Sequence, residues 1–207
     1  MSVTLIIPGL GGSCDKHWQS WWLKTDPEAV WVAQDDWSAE DPLQWDLTIA
    51  RHLYAHPRAN VVAHSLGVIA IARVAARWPS LEIGSALLVA PADVEQGIGA
   101  RRLGHFGQLP RERFDFRAAV VASRNDPWMT FARAGRLADD WGARLIDLGQ
   151  AGHINVEAGF GPWPEGKTLL RDLSLIPHRR LPQTREDARE TLTPLTSGDD
   201  RRVRAPH

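Results

Sequence analysis

Short apolar runs alternate with longer amphipathic stretches along most of the chain. Residues 3–7 form the first run and stop at Pro8-Gly9-Leu10-Gly11-Gly12, a glycine-rich turn after a buried strand. Further runs of strand character occupy residues 29–33, 60–63, 85–90, 118–122 and 144–148. Between them, residues 42–53, 66–77, 128–141 and 165–173 read as helices, the first with its apolar positions on one buried stripe. A Trp-rich segment around His17-Trp18-Gln19-Ser20-Trp21-Trp22-Leu23 also reads as helix. Continuous apolar strands separated by amphipathic helices predict an α/β protein, with about six strands in a mainly parallel sheet and helices on both faces.

Two segments break the alternation. Residues 91–117 form one long connection with four glycines and no strong periodicity, too short for a separate domain. Residues 178–207 hold seven Arg against five acids and no aromatic side chain. That composition cannot build a core. The expected organisation is one domain over residues 1–177 and a polar C-terminal tail over 178–207, flexible or forming a short surface helix.

Composition narrows the classes of function. The chain has 24 Lys plus Arg and 25 Asp plus Glu, a net charge of -1. Such a balance attracts neither nucleic acid nor an anionic membrane, and no apolar stretch approaches the ~20 residues of a membrane span. The single Cys14 has no internal disulfide partner, which suits a reducing, cytoplasmic setting. The ten Trp are expected mostly in the core.

In a parallel sheet, ligands bind at the carboxyl ends of the strands, so polar residues there are the candidates. Ala63-His64-Ser65-Leu66-Gly67 lies between the third strand and its helix. It has the shape of a nucleophile elbow, usually Gly-x-Ser-x-Gly, with Ala63 in place of the first glycine. The other reading is a plain turn in which Ser65 caps the helix. Asn125-Asp126-Pro127 follows the fifth strand, where Asp126 reads as a helix N-cap and equally as a carboxylate able to orient a histidine. Gly152-His153-Ile154-Asn155 follows the sixth strand. The chain order Ser65, Asp126, His153 is that of α/β-hydrolase triads. Asp93, after the fourth strand, is a competing acid. His64 is expected to turn away from Ser65 by strand alternation. His52 and His56 have the spacing of a zinc pair, but Leu53 stands where a zincin helix carries glutamate, so a helix-surface pair is expected and no metal. The N–H groups of Leu10 and Leu66 are the candidate oxyanion donors. A dinucleotide-binding reading of the Gly9-x-Gly11 turn fails because its last glycine would fall on Cys14, with bulky Trp residues following.

On these motifs the chain resembles the small serine hydrolases that include retinoblastoma-binding protein 9 and bacterial YdeN-like proteins. The markers are Pro8-Gly9, His17-Trp18-Gln19, the elbow, Asn125-Asp126-Pro127, Gly152-His153-Ile154-Asn155 and Gly161-Pro162-Trp163-Pro164-Glu165-Gly166, covering roughly residues 3–175. The resemblance implies a compact α/β-hydrolase fold without a large lid and a triad on Ser65, Asp126 and His153. It implies no cofactor, and esterase-like or aminopeptidase-like activity as suggested for some members. The retinoblastoma link rests on a Leu-x-Cys-x-Glu motif that this chain lacks. The expected function is hydrolysis of an ester or amide bond in a small molecule or short peptide through an acyl-enzyme. The alternative is a non-catalytic interaction module on the same fold. Trp128 and Trp163 are expected to line the substrate pocket.

Overall fold

The computed structural model describes residues 2–175. The expected tail at 178–207 and the domain boundary at 177 lie outside the described residues. Six strands, β1 (Thr4–Ile7), β2 (Ala29–Trp31), β3 (Ala59–His64), β4 (Ile83–Val89), β5 (Arg117–Ala122) and β6 (Arg144–Asp147), pair in the order β2-β1-β3-β4-β5-β6. Every pairing is parallel. The six α-helices are α1 (Trp18–Thr25), α2 (Pro42–Ala55), α3 (Leu66–Arg77), α4 (Gly97–Leu103), α5 (Phe131–Trp141) and α6 (Pro164–Leu175).

Alternation along each strand feeds two separate cores. Leu5, Ile7, Val61, Ala63, Leu88 and Val120 face a layer with Ile49, Leu53, Ile69 and Leu137 of α2, α3 and α5. Ile6, Val62, Leu87 and Val121 face Trp18, Trp22, Leu170 and Leu173 of α1 and α6. A parallel sheet covered on both faces accounts for strands that are continuously apolar. Five of the ten Trp (Trp18, Trp22, Trp45, Trp141 and Trp163) are buried and the other five are half-buried.

Two local expectations change. The helix read from residue 128 begins at Phe131, with Thr130 as its N-cap accepting from the Arg133 N–H. Asp126 does not cap it, because its Oδ1 closes a turn on the Trp128 N–H at 2.8 Å before the helix starts. The connection 91–117, read as aperiodic, contains α4 and a 3₁₀ turn (Gly104–Phe106). A seven-residue helix is too short to print a periodic pattern. Ion pairs hold this segment down: the Arg133 guanidinium lies 3.0 Å from Asp93 Oδ1 and 2.7 Å from Glu95 Oε2, and Arg111 joins Glu95 to Asp140.

Candidate active site

The backbone is tightly turned at the elbow. Ser65 sits at φ 55°, ψ -121°, a conformation costly for any residue with a Cβ, and its side chain makes no capping bond to α3. The turn therefore presents the hydroxyl instead of capping the helix. A Cβ on Gly67 would lie 2.5 Å from the Pro8 carbonyl oxygen, so only glycine lets α3 pass the end of β1. A Cβ on Gly9 would lie 2.8 Å from that of Ser65 and 3.3 Å from the Leu66 nitrogen. The β1 loop thus runs directly beside the elbow, which brings Leu10 next to Leu66. Neither of these two N–H groups has a backbone acceptor among the described residues.

The three sequence candidates converge from separate strand ends. His153 Nε2 lies 2.8 Å from Ser65 Oγ, and His153 Nδ1 lies 2.9 Å from both carboxylate oxygens of Asp126. Ser65 and His153 are buried, at 9% and 7% exposure, so the hydrogen-bonded line is shielded while still opening on a cleft. Asp93 is not part of it. Its carboxylate is taken up by Arg133 and by the N–H groups of Glu95 and Gln96.

The loop carrying His153 is held on several sides. The Ala151 N–H donates to Ser123 Oγ at 2.9 Å and the Gly152 N–H to Asn125 Oδ1 at 2.8 Å. The Trp18 indole N–H donates to the Ile154 carbonyl at 2.8 Å. His64, expected to point away, lies with Nε2 2.9 Å from the His153 carbonyl oxygen and its ring 5.0 Å from that of His153. A carbonyl only accepts, so His64 carries its proton on Nε2. The His17 ring lies tilted against that of His64, 5.0 Å between centroids, and accepts the Gln19 N–H on Nδ1. Burial, and then the neighbouring His153, lowers His17 from 6.5 to about 4. The same causes hold His64 well below the ordinary histidine range. Both stay uncharged at neutral pH. These supporting residues were not identified from sequence as parts of the site. The motif His17-Trp18-Gln19 was visible, but its contacts cross the whole chain.

The cleft in front of Ser65 has a volume of about 480 Å³ and is bordered by the Gly9–Cys14 loop, His17, Arg102, Trp128 and the Asn155–Glu157 turn. Trp128 stands there as expected, its ring 5.7 Å from that of His153. Trp163 does not: it is 5% exposed and packs edge-on against Trp18 and Phe160 inside the second core. Arg102 and Leu103 of the short helix α4 border the cleft. A larger depression of about 1170 Å³ opens at the opposite edge of the sheet, among Arg58, Glu82 and Arg117, and contains none of the three converging residues. Its volume does not make it the site, because ligands of parallel sheets bind at carboxyl ends. No group of three or more His, Cys, Asp or Glu among the described residues is arranged to hold a metal. No helix among the described residues is long and apolar enough to cross a membrane.

Comparison with known proteins gives the family. The model of the family described as "Serine hydrolase" matches residues 4–172. The Bacillus subtilis protein YdeN, named a hydrolase, is 28% identical over 170 residues, covering 77% of this chain and 89% of YdeN. A YdeN-like hydrolase from Pectobacterium atrosepticum superposes with a TM-score of 0.75 at 34% identity, covering 85% of this chain and 92% of its own. The crystal structure of the B. subtilis ydeN product gives 0.70 at 23% identity over 84% of this chain and 98% of its own. With its parallel sheet, elbow and carboxyl-edge cleft, the chain belongs to the serine hydrolase family and is a hydrolase of the YdeN-like kind on an α/β-hydrolase fold.

Proposed function

We propose that this hydrolase cleaves an ester or amide bond of a small substrate through an acyl-enzyme on Ser65. The observation that carries the reading is the unbroken line from Ser65 Oγ through the His153 ring to Asp126, with spacings of 2.8 and 2.9 Å. His153 Nε2 takes the hydroxyl proton as Oγ attacks the carbonyl. Asp126 accepts the Nδ1 proton, fixes the tautomer and offsets the imidazolium charge. The tetrahedral oxyanion is received by the N–H groups of Leu10 and Leu66, both lacking a backbone acceptor. Collapse breaks the bond to the leaving group, which takes the proton from His153. Water, deprotonated by His153, then attacks the acyl carbon and releases the acid and Ser65. These residues need no cofactor for the chemistry.

Trp128 supplies an apolar wall beside the reacting carbon, and the cleft volume suits a small molecule or the end of a short peptide. The exposed, unpaired Cys14 fits action in a reducing compartment such as the cytoplasm. The test is labelling by a fluorophosphonate. The parent should label at Ser65, and Ser65→Ala should lose both label and ester turnover. Equal labelling of Ser65→Ala would end the assignment. A chain that neither labels nor turns over any ester or aminoacyl reporter would be a binding module instead.

A further inference from the structure

The cleft carries fixed charge as well as the triad. Among the described residues bordering it, Arg102 is the only Arg or Lys and Glu157 the only carboxylate. Arg58, Arg73, Arg111, Arg124 and Arg133 each lie against an acid, while Arg51, Arg101, Arg113, Arg117, Arg136 and Arg144, without an ion pair among the described residues, do not border the cleft. Arg102 has no acidic partner among the described residues, although it lies on α4 beside the opening to Ser65. Its guanidinium is laid over the Trp128 ring, 5.6 Å from the centroid, and that ring in turn packs 5.7 Å from His153. One indole therefore separates an uncommitted cation from the reacting atoms.

We propose that Arg102 determines specificity by binding a carboxylate on the substrate, so that the preferred substrates are esters or amides bearing that anion a few bonds from the scissile carbonyl. The proposal rests on the hydrolase reading of this same cleft. The planar fork of a guanidinium matches a carboxylate with two parallel N–H···O bonds, and stacking on Trp128 limits the freedom lost when they form. A phosphate dianion fits less well, since the neighbouring Arg101 does not border the cleft and Glu157 would oppose it. Glu157 and Arg102 are both exposed, and among the described residues Glu157 has no ion pair; what distinguishes Arg102 is the Trp128 ring against its guanidinium. Arg102 is the charge held in place by a neighbour.

Matched esters test this directly. 4-Nitrophenyl hydrogen adipate and 4-nitrophenyl hexanoate have acyl chains of equal length and differ by the terminal carboxylate, while 4-carboxyphenyl and phenyl hexanoate place the same difference on the leaving group. The parent enzyme should prefer one of the two anionic esters. In Arg102→Gln that preference, taken as the anionic-to-neutral ratio of kcat/KM, should fall about tenfold, and Arg102→Glu should invert it. The preference should also shrink in high salt. A preference unaffected by Arg102→Gln, or absent in both pairs, overturns the proposal while leaving the hydrolase reading intact. Saturable binding of adipate, followed by tryptophan fluorescence, needs no turnover. If no ester is cleaved and Ser65 does not label, the hydrolase reading fails. Binding independent of Arg102 then overturns the present proposal separately.

Discussion

Asp93 and Asp126 occupy equivalent places in neighbouring loops, one after β4 and one after β5. Both are nearly buried, with side chains 4% and 3% exposed. Each closes a turn on following N–H groups, and the loops touch, since the Asp93 N–H donates to the Trp128 carbonyl. What separates them is the partner each meets across the fold. Arg133 from α5 lies against Asp93, a permanent cation that neutralises it and ties down the 91–117 segment. His153 lies against Asp126, a group that can gain and lose a proton. The same residue type in the same kind of turn thus becomes an anchor in one loop and a candidate catalytic acid in the next. A buried carboxylate takes its role from its counter-group.

The largest expected effect breaks the Asp126 side. Under the proposed mechanism Asp126→Asn should reduce kcat by about 10⁴-fold, as an amide in place of the acid does in serine proteases. Its melt should barely move, because the Asn oxygen still accepts the Trp128 N–H. The Asp93 side should break in the opposite way. Arg133→Met strands a buried carboxylate and should cost about 3–5 kcal/mol of stability in denaturant titration. Activity per folded molecule should change far less.

Acid should discriminate the two sides as well. His17 titrates near 6.5 when unfolded but only near about 4 in the fold. Between those values the unfolded chain binds a proton that the folded chain refuses. Its contribution to stability is therefore complete above pH 6.5 and is lost as pH falls toward 4. His17→Gln should flatten that slope by up to about 1.4 kcal/mol per pH unit, measured by unfolding from pH 7 to 4. The guanidinium of Arg133 stays charged throughout that range.

Asp93→Asn is the milder control, because Glu95 remains beside Arg133. A loss of about 1–3 kcal/mol with turnover kept within a few-fold is expected. Abolished turnover in Asp93→Asn, with Asp126→Asn still active, would exchange the two roles. The smallest effect concerns the start of α5. Thr130→Ala should cost about 1 kcal/mol and leave kinetics alone, whereas no loss in Thr130→Ala beside a loss of that size in Asp126→Ala would return the capping role to Asp126.

Patterns that depend on near neighbours were readable from the amino acids. Apolar runs and helical stripes specify which faces must be buried, so the six strands and most helices followed from spacing. The elbow was also legible, because Gly67 answers a steric demand created within a few residues and at the end of β1. So was the order Ser65, Asp126, His153, each just past a strand. Partner choice was not legible. Ser65 and His153 are 88 residues apart, and Arg133 and Asp93 are 40 apart. Nothing local to Asp93 announces Arg133, and nothing local to Trp163 distinguishes a pocket wall from a ring buried on Trp18. Strand alternation predicts His64 away from the serine, whereas it borders the same cleft and its ring holds a carbonyl that only the packed His153 loop supplies. The period of an element sets which side chains leave it together. Which groups they meet depends on how distant elements pack, and that was decided by the tertiary structure.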